Sequence, residues 1–302
     1  MYRSLHNRVD AMINLAHKYG QWALVTGGAT GIGLALAKQA ASRGMDILLV
    51  ARRAALLSEA KTAIEALYPV TVKVIALDLT ADAALEYLFE QTKNLDVGLL
   101  IPSAGVELNG LFVNASADEN KHLLRLNAEI PMLLAHHYGQ RMATRNRGAI
   151  LFISSGFGYQ AVPYIANYSA SKAYILALGE ALHRELKEHG VVVTVLSPGL
   201  TKTAMTDDST IDFTKLPITS MTPDAVANVG FNVLGRKASE IAGFLNKFYV
   251  FQNRFVPRMI PTIIFGLLMR RAIREEAKGR LLSVAATERG VFDLDAGEGK
   301  IS

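Results

Sequence analysis

The chain contains no cysteine among its 302 residues. Disulfides, thiolate metal sites and thiol redox chemistry are therefore excluded, and a reducing compartment is permitted. Long hydrophobic runs are missing too. The longest uncharged apolar run, Met259 to Met269, is 11 residues with a proline inside it, far below the ~20 needed to span a bilayer, so no transmembrane helix is expected. Met1 to Gln21 is polar and mixed in charge and lacks the apolar core of a signal peptide, which predicts a cytoplasmic protein. Histidines are few, and the adjacent pair His136-His137 points in two directions on a helix with no partner four residues away. No metal site is expected, and the pair reads as surface or interface residues. The net charge of +5 is localised: residues 236–280 hold ten Lys/Arg against three acids, net +7, leaving −2 elsewhere. Without a recognisable binding motif interleaved with these charges, nucleic acid is not an expected partner. What is abundant is apolar surface, since half the residues are hydrophobic, enough for a large core.

Apolar segments alternate with amphipathic ones along most of the chain. Trp22 to Val25 reads as a buried strand running into Thr26-Gly27-Gly28-Ala29-Thr30-Gly31-Ile32-Gly33 and then into a helix from Leu34 to Arg43. Further strands are predicted at Asp46–Val50, Thr71–Leu77, Val97–Ile101, Ala149–Ser154, Val191–Leu196 and Glu240–Phe244, with helices at Ala54–Leu67, 117–145 and Tyr168–His189. This alternation predicts an α/β doubly wound parallel sheet of the Rossmann type, with ligands at the carboxyl ends of the strands. The expected division is a leading helix in 1–20 with Leu5, Val9, Met12, Ile13 and Ala16 on one face, a single domain over 21–244, an amphipathic helical extension over 245–280 and a flexible tail over 281–302.

The polar motifs fall at the strand ends. A strand, a glycine turn and a helix let a backbone approach a pyrophosphate and offer it a bare helix N-terminus. After the second strand come Arg52 and Arg53 with no acid, which favours a 2'-phosphate over a free ribose hydroxyl and hence NADP(H) over NAD(H). Asp78, ending the third strand, can accept from an adenine amino group or cap the next helix. Asn127 is a polar amide among Leu123, Leu124, Leu126, Ile130, Leu133 and Leu134; it must be paired, either with water or with backbone. Tyr168 and Lys172 lie four residues apart on one helical face, so an ammonium stands near a phenol whose free pKa is about 10 and favours its ionised form.

Taken together, the Thr-Gly-x-x-x-Gly-x-Gly turn at 26–33, Asp78, Ala104-Gly105, Asn127, Ser155, the Tyr-x-x-x-Lys pair at 168–172 and Pro198-Gly199 resemble the short-chain dehydrogenase/reductase family over roughly residues 20–205. The resemblance implies that Tyr168 is the general acid/base, that Ser155 polarises the substrate oxygen, that Lys172 lowers the Tyr pKa and holds the nicotinamide ribose, and that Asn127 supports a water in a proton relay. It implies cofactor contacts from Gly27, Thr30, Gly31, Ile32, Gly33, Arg52, Arg53, Asp78, Leu79, Ala104, Gly105, Tyr168, Lys172, Pro198, Gly199, Thr201 and Thr203. The expected reaction is hydride transfer between the nicotinamide and a carbonyl/alcohol pair, with a homodimer or homotetramer built on the helices beginning near 117 and 168. Two departures stand out: Pro102-Ser103 precedes Ala104-Gly105 where the family carries a pair of asparagines, and Thr30 replaces the basic residue of many NADP-preferring relatives, leaving that preference to Arg52 and Arg53.

The extension sets this chain apart. Phe244, Phe248, Phe251 and Phe255 share a helical face, Pro257 and Pro261 are expected to break the helix, and Thr262–Lys278 forms a second amphipathic run ending in Arg270, Arg271 and Arg274. It either covers the substrate cleft, meets a second subunit or lies on an anionic membrane surface as a peripheral contact. Phe157, Val162, Pro163, Tyr164 and Leu200 near the expected cleft point to an apolar or amphipathic substrate of steroid, 3-oxoacyl or xenobiotic ketone type. The alternatives are a non-catalytic NADP-binding regulatory or scaffold protein and a peripheral-membrane reductase of lipids.

Overall fold

The computed structural model describes residues 14–273 apart from 208, 217, 253 and 254. Within the span expected for a leading helix, the described part forms α1 (Leu15–Tyr19); Leu5, Val9, Met12 and Ile13, the expected tail and Arg274–Lys278 lie outside the described residues. The alternation then runs β1 (Trp22–Thr26), α2 (Gly31–Ala41), β2 (Asp46–Ala51), α3 (Ala54–Glu65), β3 (Val72–Ala76), α4 (Ala84–Thr92), β4 (Val97–Pro102), α5 (Ala117–Leu124), α6 (Ile130–Thr144), β5 (Gly148–Ile153), α7 (Ala166–Glu185), β6 (Val191–Ser197), a short α8 (Ala204–Asp207), α9 (Pro223–Val233), β7 (Ser239–Ile241), α10 (Phe244–Gln252) and α11 (Met259–Ala272).

All strand pairs are parallel, in the order β3-β2-β1-β4-β5-β6-β7. Every residue of β1, β4 and β5 is buried, as expected of strands covered on both faces by helices. One apolar layer packs the sheet against α2, α3 and α9 through Leu36, Leu57, Ile64 and Phe231; the other packs it against α4, α6 and α7 through Leu88, Leu134, Tyr138 and Ile175. Strand order reverses between β1 and β4, and a crevice opens at the carboxyl ends of the strands there.

Several boundaries differ from expectation for identifiable reasons. The helix expected over 117–145 is interrupted by a π turn, Arg125–Glu129, in which Ile130 N–H reaches back to Arg125 O. Pro131 has no N–H to offer the carbonyl of Asn127 four residues earlier, so a regular α-helical bond is unavailable there. β7 ends at Ile241 rather than running to Phe244, because Gly243 takes φ +93° and turns the chain into α10. Pro261 does not break a helix. It sits in the first turn of α11, where backbone N–H groups have no intrahelical partner to lose. Phe255 lies beyond the end of α10, and all four extension phenylalanines are exposed. His137 is not a free surface residue: its ring stacks on Phe89 with centroids 3.7 Å apart. Among the described residues no helix is long and apolar enough to cross a membrane.

The extension also has an inward face. Met269 and Ala272 of α11 are buried with Val162, Ile165, Ile211 and Leu216 in a third apolar cluster, and Ile211 bridges antiparallel to Ile273.

Candidate active site

The glycine turn is shaped by close approach. Gly27 sits at φ +64° and its N–H donates to Val50 O at 2.8 Å. A Cβ on Gly33 would lie 2.3 Å from Gly27 O, so only glycine lets the first turn of α2 press against the loop before it. Thr30, the N-cap of α2, makes no side-chain capping bond, which leaves the N–H groups of this helix start available to an anion. Thr26 Oγ1 accepts from Ala104 N–H at 3.2 Å, joining the turn to the loop after β4 across the crevice. Arg52 and Arg53 are exposed at the rim after β2. Asp78 Oδ1 accepts from Thr80 N–H (2.9 Å) and Oγ1–H (2.7 Å), and these bonds hold its carboxyl below the usual range, with Arg52 adding to the effect. The Asp78 side chain is thus oriented by a local turn rather than capping the following helix. A dinucleotide fits this set: a glycine cradle and a bare helix N-terminus, with two guanidinium groups beyond β2.

The second half of the site is carried by β5 and α7. Ser154 Oγ–H donates to Lys172 O at 2.7 Å, so that hydroxyl is committed to the backbone. Ser155 Oγ accepts from Phe157 N–H at 3.2 Å, which leaves its own hydrogen for the Tyr168 oxygen or a bound oxygen. Of the two adjacent hydroxyls, only that of Ser155 lines the cavity with its hydrogen uncommitted to the backbone. Lys172 is buried, its Nζ donating to Ile153 O at 3.1 Å and lying 5.7 Å from the centre of the Tyr168 ring. Burial pushes the ammonium down to about 8, against the attraction of Glu107. The phenol of Tyr168 is not lowered, contrary to expectation. Burial raises it first and the charge of Glu107 raises it further, while hydrogen bonding from Ser155 opposes both.

The sequence-predicted cofactor residues and Ser155, Tyr168 and Lys172 all line one cavity of about 370 Å³, within the range of small-molecule sites. Asn127 does not. It sits behind the wall, buried, its Oδ1 accepting from Val106 N–H (2.9 Å) and its Nδ2 donating to Val106 O (2.8 Å) and Ser171 Oγ (3.3 Å). Its side-chain amide therefore fixes the loop after β4. Of the expected apolar wall, Phe157 and Leu200 face the cavity, whereas Val162, Pro163 and Tyr164 do not, Val162 and Tyr164 belonging to the third apolar cluster. Their place is taken by Phe213, Ile218, Val250 and Phe265, the last of which meets Phe157 edge to face at 6.2 Å. α10 adds Asn246, whose Nδ2 lies 2.0 Å from where a Cβ on Gly199 would stand. Sequence reading missed Phe213, Ile218, the extension residues Asn246, Val250 and Phe265, and Glu107, whose only signal was a lone carboxylate two residues past Gly105 at a strand end.

A model of the short chain dehydrogenase family matches residues 21–212. The 7beta-hydroxysteroid dehydrogenase of Clostridium sardiniense is 34% identical over 246 residues, covering 82% of this chain and 94% of that protein. A solved structure described as bearing on 7beta-hydroxysteroid dehydrogenase stereoselectivity superposes with TM-score 0.76 at 29% identity, covering 84% of this chain and 99% of that one. A short-chain dehydrogenase from Sphingobium yanoikuyae in complex with NADPH superposes with TM-score 0.68 at 26% identity, covering 93% and 98%. On this match, joined to the doubly wound sheet and its switch-point cavity, the chain belongs to the short-chain dehydrogenase family and is an oxidoreductase of the CH–OH/C=O pair.

Proposed function

We propose that the protein is an NADP(H)-dependent dehydrogenase/reductase of apolar, steroid-like ketones and alcohols, with Tyr168 as its general acid/base. The observation that carries this reading is the convergence of Ser155, Tyr168 and Lys172 on a cavity whose other end is the glycine turn and whose walls include Phe157, Leu200, Phe213 and Phe265. Gly27 to Gly33 and the N-terminus of α2 would hold the pyrophosphate, Arg52 and Arg53 the 2'-phosphate, and Lys172 the nicotinamide ribose. The cofactor supplies or takes the hydride. Everything else falls to the chain. Burial keeps Tyr168 protonated at neutral pH, so in the reducing direction its hydroxyl is the proton donor to the substrate oxygen, and Ser155 O–H steadies the same oxygen as negative charge develops. Loss of the Tyr168 proton is assisted by the adjacent Lys172 ammonium, and Asn127 acts by holding Val106 and the loop that frames the site. The hydroxysteroid dehydrogenases similar to this chain support the steroid-like substrate.

A second element of the reading is peripheral attachment to an anionic membrane surface. Phe244 and Phe255 are 82% and 74% exposed, and Phe248, Phe251, Met259, Ile263, Ile264 and Leu267 more than half or about half exposed, beside exposed Arg258, Arg270 and Arg271. A patch of this size on one pair of helices supports contact with something apolar, and the arginines favour an anionic surface. Self-association through α5 and α7 is a third element, supported by exposed Leu124 and Tyr174 on or beside those helices.

The decisive experiment is a titration with NADPH and NADH of wild type and Arg52→Ala, followed by NADPH oxidation over a panel of ketosteroids, 3-oxoacyl thioesters and aromatic ketones. Preferential NADPH binding with turnover of a ketosteroid is the expected result, and Arg52→Ala should weaken NADPH at least tenfold more than NADH. Equal weakening of both nucleotides would overturn the 2'-phosphate assignment. NADPH binding with no turnover across the panel would overturn the ketone-reductase reading.

A further inference from the structure

The turn of α7 that carries Tyr168 and Lys172 is gripped from two sides. On one, Ser171 Oγ–H donates to Tyr168 O at 2.7 Å, and Asn127 Nδ2, already bonded to Val106 O, donates to Ser171 Oγ at 3.3 Å. On the other, the end of β5 holds Lys172 at both its ends: Nζ donates to Ile153 O at 3.1 Å, and Lys172 O accepts from Ser154 Oγ–H at 2.7 Å. This second contact is close-packed. A Cβ on Gly158 would stand 2.8 Å from Ser154 Oγ and 2.9 Å from the carbonyl carbon and oxygen of Lys172, so a side chain there would wedge strand end and helix apart. Ser154 is 3% exposed, so a bond lost here is poorly replaced by water. Its place in the chain gives the bond its meaning, because Ser154 immediately precedes Ser155 and Lys172 follows Tyr168 by one helical turn.

We propose that Ser154 is a positioning residue for proton transfer, its bond to Lys172 O setting the spacing at which the hydroxyls of Ser155 and Tyr168 meet one substrate oxygen. This rests on the reductase reading above. The helix does not need the bond, since Lys172 lies well inside α7, where carbonyls are paired along the helix itself. What the bond adds is a link between two elements, given by the neighbour of Ser155 and received one turn from Tyr168. A reacting group must be held to within about 0.5 Å, and a misplacement of about 1 Å costs about a hundredfold in rate. Gly158 serves the same contact by leaving room for it.

The test is the first-turnover rate of NADPH oxidation by a saturating ketosteroid, followed by stopped flow in light and in heavy water for wild type and Ser154→Ala, with NADPH affinity and the ketosteroid KM measured alongside. Ser154→Ala should lose about tenfold to a hundredfold in this rate while holding NADPH and the ketosteroid within about twofold of wild type. Its solvent isotope effect should be larger, because the slowed step is the one that moves the Tyr168 proton. A variant that merely contained less folded enzyme would lose rate with an unchanged isotope effect. That result, an unchanged rate, or a loss confined to NADPH affinity would overturn the inference and leave the reductase reading intact. Absence of turnover by wild type with every ketosteroid despite bound NADPH would overturn that reading and the inference with it.

Discussion

Burial decides where the protons sit in this cavity. Tyr168 is pushed up and Lys172 down because both would be charged in a place poor in water. The proton on Tyr168 is thus held at neutral pH, as the proposed acid role requires. Tyr168→Phe should therefore bind NADPH as tightly as wild type and lose about 10²–10⁴ in kcat, the span of general acid catalysis, as read by fluorescence titration and steady-state rates; unchanged kcat would remove Tyr168 from the chemistry. Glu107 is raised to about 7 from 4.5, so the unfolded chain gives up this proton first. Stability from the protonated group is complete below about pH 4.5 and is lost as pH rises to about 7, by up to roughly 3 kcal/mol. Glu107→Gln has no such proton to lose. In urea unfolding it should match wild type near pH 4.5 and exceed it near pH 8; an equal difference at both pH values would refute the buried, raised carboxyl. Ser155, Tyr168 and Lys172 were legible in sequence because their spacing on one strand end and one helix face carries their geometry. Glu107 was not, because its place depends on Asn127 gripping Val106 from 21 residues away.

Strands were the most legible elements, since a parallel strand buried on both faces is an unbroken apolar run. Helices with weak apolar signatures escaped. α4 buries Ala84, Leu88 and Thr92, and α9 buries Val226, Ala227, Gly230 and Phe231, so small and polar residues make much of each buried face. Periodicity showed that the extension phenylalanines share a stripe, and a stripe does not reveal whether it looks inward or outward. In the fold it looks outward, while Asn246, Val250 and Phe265 reach the cavity from other faces of the same two helices. The full chain should co-sediment with phosphatidylserine-containing vesicles at low salt, and Phe248→Ser with Phe251→Ser should reduce the bound fraction several-fold with NADPH affinity unchanged. Equal binding by the double variant would show that this face is not the one that docks.

At the scale of the whole molecule, seven parallel strands with one reversal between β1 and β4 bring together residues as distant as Gly27 and Phe265. Sequence order alone gave the strands and their likeness to a known family; the cavity needed the sheet to be assembled. The exposed faces of α5 and α7 argue for self-association, and sedimentation velocity at micromolar concentration should return a dimer or tetramer mass, a monomer there refuting it.

α10 connects two surfaces that otherwise do not communicate. On one side Asn246 rests on Gly199, its Nδ2 also donating to Ala242 O at 2.8 Å; on the other, Phe248 and Phe251 stand in the open. A body that seats on the outer face and favours one position of this helix must change the affinity of the inner cavity for its occupant by some factor. By thermodynamic reciprocity the occupant changes the hold of the outer face by the same factor. On the proposed surface contact, α10 would couple where the protein resides to what it has bound.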